Sequence, residues 1–247
     1  MKCVRLACNA IACAIAFFVV IEPLRAAVLS ESFETFPLAG WAIINNSAPL
    51  NDPSSQTSWF QGNSGIFQAH QGDTYAAANF NNAAPGSDSI ISDWLITPTI
   101  SLANGAVLNF YTRTDTASTF PDRLEVRLST NGSSTDVGST ATSVGDFSML
   151  LLSINPNLAL GAYPEDWTLF TLTLSGLPDP TSGRLAFRYF VDNTNDNANY
   201  IGIDDVSVSD NVSGVPLPVA GAGLPGLIAA VGGLFALVRR RRTNAVA

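Results

Sequence analysis

Cysteine is almost missing from this 247-residue chain, and its three cysteines, Cys3, Cys8 and Cys13, all lie close to the N-terminus. The rest of the chain therefore has no thiol to form a disulfide or to ligate a metal ion. Histidine is nearly absent as well, since His70 is the only one. Without a second histidine or a cysteine, His70 cannot complete a usual zinc site, and we interpret it as a loop or turn residue.

Positive charge is scarce between residues 28 and 213. This stretch has no lysine and five arginines, whereas nineteen of the twenty acidic residues of the chain lie in it. A strongly acidic surface repels phosphate groups and anionic lipids, so we exclude nucleic acid as a partner. The same charge favours divalent cations and neutral glycans as ligands.

No stretch has the apolar spacing of an amphipathic helix of ordinary length. Short runs rich in β-branched and aromatic residues alternate instead with Asn, Gly, Asp, Ser and Pro, which is typical of strands joined by turns. These runs are 41–44, 74–80, 89–96, 106–113, 122–130, 167–174, 184–191 and 200–209. Residues 147–154 form either one helical turn or a further strand. Many short strands without an internal repeat predict an all-β fold, a sandwich or jelly roll.

The last of these runs changes its alternation part-way along. Ile201 and Ile203 lie on one face of the predicted strand, whereas Val206 lies on the other. The change falls at Asp204 and Asp205. Either a β-bulge lies there, or one aspartate points to the buried side, where a carboxylate is costly unless it is paired or bound to a cation. An ordinary exposed pair at a strand kink is the alternative.

The catalytic groups of common hydrolases are not recognisable. The segment GNSG at 62–65 has its serine one position too early for a nucleophile elbow. The adjacent acids Asp204 and Asp205 would point to opposite faces of a strand, so a glycosidase pair would need carboxylates from distant segments. We therefore predict that the chain is not an enzyme, and a secreted glycan-acting hydrolase is the alternative.

Two aromatic residues are candidates for stacking on a sugar. Trp59 and Phe60 lie in the polar, glycine-bearing stretch 54–65. A tryptophan in such a stretch more often fills the edge of a sandwich core, so ligand binding by this pair is the weaker of the two interpretations.

The N-terminal residues have the three-part pattern of a secretory signal peptide. Residues 1–27 begin with Lys2 and Arg5, continue through the apolar run 6–21, and end in small residues at 26–27. This pattern predicts export of the chain. An uncleaved N-terminal anchor is the alternative, although an anchor would need a longer span.

Several segments occur in an order typical of one family of bacterial secreted domains. They are ESFE at 31–34, GW at 40–41, WFQGN at 59–63, YAAANF at 75–80, SDWLITPTISL at 92–102, LNFYTRT at 108–114, FPDRLEVRLS at 120–129, FRYFV at 187–191 and IGIDDV at 201–206. Through them the region 28–212 resembles the choice-of-anchor J family, whose relatives are cleaved-adhesin domains and, more distantly, MAM domains. The resemblance implies a jelly-roll β-sandwich of the galactose-binding-like kind.

The same resemblance implies a structural calcium ion near the two ends of the domain. In such domains the acid of the opening FE and the acids of the closing DDV meet on neighbouring strands. This makes Glu34 and Asp205 the leading calcium ligands, with Glu31 and Asp204 as second choices. The implied function is adhesion or carbohydrate binding, with an exopolysaccharide or another surface glycan as partner. A purely structural component of a biofilm matrix is a further alternative.

Residues 213–247 resemble a PEP-CTERM sorting signal of Gram-negative bacteria. Its proline motif is Val215, Pro216, Leu217 and Pro218, with leucine in place of the commoner glutamate, and its basic cluster is Arg239, Arg240, Arg241 and Arg242. Between them, residues 219–238 are long enough to cross a hydrocarbon core of about 30 Å, and the arginines would stay on the cytoplasmic side.

The resemblance to this signal implies an exosortase-type membrane protease as partner. The chain would cross the inner membrane, stay tethered by its C-terminal transmembrane helix until it is processed, and then reach the cell surface or the extracellular matrix. A permanent C-terminal anchor is the alternative.

Overall fold

The computed structural model describes residues 27–51, 58–178 and 180–210. The predicted signal peptide up to residue 26 and the predicted sorting signal lie outside these residues. Within them, no helix has the length and apolar character needed to cross a membrane. The strands are β1 Ala27–Glu31, β2 Ala42–Asn45, β3 Phe60–Gly62, β4 Tyr75–Asn79, β5 Ile90–Ile96, β6 Ile100–Leu102, β7 Val107–Thr114, β8 Leu124–Ser129, β9 Met149–Ile154, β10 Thr168–Thr173, β11 Thr181–Asp192 and β12 Tyr200–Ser209, and Phe80–Asn82 form a short 3₁₀ helix.

The strands form two antiparallel sheets. The first, called here the β12 sheet, has the order β10-β7-β12-β4-β3, and β1 pairs with the second half of β12. The second, called here the β11 sheet, has the order β2-β5-β11-β8-β9, and β6 pairs with the start of β11. Two packed antiparallel sheets confirm the predicted all-β jelly-roll sandwich.

The core lies between the two sheets and is built from alternating side chains. On β11, the predicted inward set Leu185, Phe187, Tyr189 and Val191 is fully buried. Phe110 of β7 meets Phe187 edge to face, with ring centroids 5.0 Å apart. A continuous apolar core of this kind supplies the main driving force for folding in a region without disulfides.

The opposite face of β11 is covered as well. A loop between β8 and β9 folds across it, and its residues Val137 and Phe147 are buried against Trp94 and Ala186. The central strands β5 and β11 are therefore shielded on both sides. This leaves the outer face of the β12 sheet as the place to look for a binding site.

Candidate functional site

The four predicted metal ligands lie where β12 changes its pairing partner. Residues 200–203 of β12 pair with β4, and residues 206–209 pair with β1, so the change falls at Asp204 and Asp205. Glu31 is the last residue of β1, and Glu34 follows in the next loop. The pairing of Glu31 with Val206 thus places acids from the two ends of the described domain near the same part of β12.

A β-bulge separates the two halves of β12. The register against β7 shifts between Asp204 and Ser207, and Asp205 has a left-handed φ of 49°. The extra residue returns Val206 to the core face, so that it is buried in the same cluster as Ile203. Asp204, on the other face, is also fully buried. Both the predicted bulge and the predicted buried aspartate are therefore present.

Asp204 is buried beneath the loop formed by residues 68–74. Its Oδ2 accepts hydrogen bonds from the backbone N–H of His70 at 2.9 Å and of Gln71 at 3.2 Å, and its Oδ1 accepts one from Asp205 N–H at 2.8 Å. Burial raises the pKa of Asp204 to about 6, although these N–H donors favour the charged form. This one carboxylate therefore fixes the first part of the 68–74 loop.

Glu34 holds the second part of the same loop. Its carboxylate accepts hydrogen bonds from Asp73 N–H at 3.1 Å and from Thr74 N–H at 3.3 Å. Gly72 has a φ of +73°, and a Cβ at this position would lie 2.1 Å from Glu34 Oε1. The loop can approach the carboxylate so closely because residue 72 has no side chain.

The arrangement does not fit a calcium ion as these side chains lie. Glu31 accepts a hydrogen bond from Phe33 N–H at 2.8 Å, and the other three acids face N–H donors or His70. Over residues 27–51, 58–178 and 180–210, no three Asp, Glu, His or Cys side chains are grouped to hold one metal ion. Calcium needs six to eight oxygen ligands around one point. A calcium site therefore stays a prediction from the resemblance.

His70 has a role that sequence reasoning missed. Its Nδ1 lies 2.6 Å from Asp205 Oδ2, and its ring stacks on Tyr111 with ring centroids 3.5 Å apart. It does belong to a loop, as interpreted from the sequence, but that loop lies across the β12 sheet. A lone histidine carries no signal for partners that lie 41 and 135 residues away along the chain.

An open cleft lies beside this histidine on the outer face of the β12 sheet. We name it the His70 cleft; it has a volume of about 370 Å³, and its lining includes Glu31, His70, Asn109, Tyr111, Leu169 and Asp205. Leu169 of β10 lies directly opposite Tyr111 of β7 in the strand register, and its side chain is 49% exposed. Apolar surface beside convergent polar groups is the usual composition of a small-molecule site.

The two aromatic candidates from the sequence lie outside this cleft. Trp59 is only 4% exposed, and its Nε1 donates a hydrogen bond to the backbone oxygen of Asp93 at 3.1 Å. The ring of Trp59 therefore fills the core, which is the interpretation that the sequence favoured. Phe60 is half-buried and meets Tyr200 edge to face at 6.0 Å between centroids, as part of an aromatic cluster.

Similar folds occur among solved structures. The K1 cleaved adhesin domain of Lys-gingipain from Porphyromonas gingivalis W83 is 23% identical, with a TM-score of 0.51, and the match covers 74% of this chain and 98% of that chain. This chain has the fold of a cleaved adhesin domain. The K3 domain of the same protein is 22% identical, covers 74% and 98% of the two chains, and has a TM-score of 0.49.

A more distant similarity is to the CBM22-1 xylan-binding domain from Paenibacillus barcinonensis Xyn10C. It is 14% identical, with 75% of this chain and 94% of that chain covered and a TM-score of 0.43. No protein-family model matches the chain, and no curated protein is significantly similar to it in sequence. What the adhesin-like fold binds in this chain has to be argued from its own residues.

Proposed function

We propose that residues 28–212 form a non-enzymatic adhesion domain of the choice-of-anchor J type that binds carbohydrate in the His70 cleft. The observation that carries the proposal is the half-exposed Leu169 beside the partly buried Tyr111, placed with polar side chains in one open cleft. Leu169, together with the stacked rings of Tyr111 and His70, can pack against the C–H face of a sugar ring. Asn109 and Asp205 can bond to its hydroxyl groups.

The charge of the cleft points to a neutral glycan. Glu31 and Asp205 both line it, and its remaining polar groups include the amide of Asn109 and the ring of His70. Uronic acid or sulfate groups would meet like charge there, in a region that already holds nineteen acids and five arginines. Neutral polysaccharides of a surface or matrix are therefore the proposed ligands.

Replacing Tyr111 by alanine is expected to weaken binding of a neutral polysaccharide at least about tenfold, because it removes half of the apolar platform. Calorimetric titration against a panel of soluble neutral and acidic polysaccharides measures the effect. Leu150→Ala is the matched control, since Leu150 is 51% exposed on β9 of the other sheet. Equal affinity in both variants, with unchanged melting temperatures, would place the ligand elsewhere.

We also propose that the chain reaches the cell surface through exosortase processing of its C-terminal segment. The support is the sequence alone, in which the motif at 215–218 precedes an apolar span and four arginines. Pro225 and the glycines of that span make a poor permanent helix. Removal of the span after export accounts for this composition better than a lasting anchor does.

Mass spectrometry of the mature protein should find no peptide that contains residues 239–242. Processing near the proline motif would leave these arginines behind in the membrane. Chain isolated from cells without the protease serves as the control and should retain them. If mature protein from normal cells ends with the arginine cluster, the segment is a permanent anchor.

A further inference from the structure

Strand β10 (Thr168–Thr173) forms an edge of the β12 sheet and pairs there with β7. Just past its end, Leu174 N–H donates to Ala106 O at 2.8 Å, so the backbone of this even-numbered residue points toward β7. Backbone direction alternates along an antiparallel strand. The N–H and C=O groups of Leu169, Thr171 and Thr173 therefore point away from β7, toward the open side of the sheet.

This edge has none of the features that usually protect an edge strand. Its sequence, TLFTLT, contains no charge, proline or glycine, and its register with β7 is regular over six residue pairs. Strand β9, at one edge of the β11 sheet, has a register shift against β8 between Val126 and Arg127. Bulges, charges and prolines are the common ways to prevent strand addition. An uncharged, regular edge is suited to accept another strand.

We propose that β10 pairs with β10 of a second copy of this chain, antiparallel, about a two-fold axis at Thr171. Only residues whose backbone points outward can form the hydrogen-bonded pairs of the new ladder. A two-fold axis at Thr171 satisfies this rule, because Thr171 then pairs with Thr171, and Leu169 pairs with Thr173 of the second copy. An axis at any other residue of the strand would form fewer hydrogen-bonded pairs within it.

The side chains are self-complementary in this register. Phe170 and Leu172 are partly buried and pack on the edge of the core. Each Phe170 would lie opposite Leu172 of the second copy, which places two apolar pairs across the interface. On the outer face, Leu169 would lie beside Thr173 of the second copy, at the rim of the His70 cleft. The strand thus matches itself on both faces.

The distribution of charge on the domain favours this strand over other surfaces as the place where a second copy binds. Two domains that each carry nineteen acids and five arginines repel one another over most approaches. In the proposed register, the nearest acid before the strand, Asp166, lies opposite Gly176 of the second copy, so no acid faces another acid. Salt screens the remaining long-range repulsion. Dimerisation should therefore strengthen as the ionic strength rises.

Charge substitutions at Thr171 test the two-fold register. In Thr171→Lys and Thr171→Glu, two like charges would face each other across the axis, and each variant alone should dimerise at least about tenfold more weakly than the wild type. An equimolar mixture of the two should dimerise again, because lysine then faces glutamate. Sedimentation equilibrium of the full chain in mild detergent measures this. The same two substitutions at Leu150 on β9 are the control and should leave dimerisation unchanged.

A covalent test covers the case in which a charged variant does not fold. Thr171→Cys should form a disulfide-linked dimer on mild oxidation, since residues of a hydrogen-bonded antiparallel pair have Cα atoms about 5.5 Å apart. Leu150→Cys, which has the same three N-terminal cysteines as Thr171→Cys, should not form a disulfide-linked dimer. A wild type that stays monomeric at high salt, a mixture that fails to reassociate, or equal crosslinking at both positions would overturn the proposal.

Discussion

Replacing Arg188 by leucine is expected to lower the free energy of unfolding by about 2 to 4 kcal/mol, because three acceptors lose a donor while Glu125 keeps only its ion pair with Arg127 at 2.8 Å. Arg188 is 1% exposed. Its guanidinium donates to Glu125 Oε2 at 3.1 Å, Ser92 Oγ at 3.0 Å and Ala141 O at 2.5 Å. Each of these acceptors would lose a donor in a place that water does not readily reach.

Aromatic contacts add to the effect of this substitution. The guanidinium carbon of Arg188 lies 3.6 Å from the ring centroid of Phe190 and 4.7 Å from that of Trp94. Burial lowers its pKa to about 10, so the group stays charged at neutral pH. Arg188→Lys is the informative control, because it keeps the charge but loses the planar fork that reaches three acceptors. Urea unfolding measures the free energy of unfolding of both variants. A decrease of less than about 1 kcal/mol in Arg188→Leu would contradict the prediction.

The environment of Arg188 shows where sequence reasoning succeeded and where it stopped. Strict alternation on β11 predicted that Phe187 and its neighbours face the core, and they do. The same alternation placed Arg188 on the opposite face. That this face is also buried depends on Val137 and Phe147, in a long loop without strand or helix periodicity. A covering loop of this kind cannot be predicted from spacing, because its contacts are not local.

The two shortest strands could not be predicted from the sequence. Every run proposed as a strand from the sequence overlaps one, and residues 147–154 contain β9. The sequence did not identify β1, β3 or β6, which have five, three and three residues. A segment of three residues is too short for an alternating pattern, and its pairing is decided by the strand beside it.

The candidate site was predicted in part for a similar reason. The change of alternation at Asp204 and Asp205 is local, so it predicted the bulge and the buried carboxylate. The partner of that carboxylate was not predictable, because the N–H donors of His70 and Gln71 come from a loop more than 130 residues earlier. An acid-rich motif suggested a cation, whereas the structure places backbone N–H groups against the acids.

Asp204→Ala is expected to lower the free energy of unfolding by about 2 to 4 kcal/mol and to reduce glycan binding. The substitution leaves the N–H groups of His70, Gln71 and Asp205 without their acceptor, in a part-buried setting. The start of the 68–74 loop would then be released, and with it the His70 ring that lines the cleft. Glu34 still holds the far end of the loop, so the fold itself should persist.

Comparing the stability of the wild type with that of Asp204→Asn over a range of pH separates the effect of titrating the carboxylate from the effect of its hydrogen bonds. Burial raises the pKa of Asp204 to about 6 in the folded state, above its ordinary value near 4. The folded protein therefore holds this proton more tightly than the unfolded chain does. The resulting stability is complete below about pH 4 and is lost as the pH rises to about 6.

Because asparagine does not titrate, the wild type should lose stability relative to Asp204→Asn over this interval, which urea unfolding at a series of pH values measures. A difference between the two proteins that stays constant from pH 4 to 6 would mean that Asp204 does not carry the raised pKa. A rise in wild-type melting temperature with added calcium that Asp204→Asn lacks would show instead that the carboxylate exchanges the loop N–H groups for a cation.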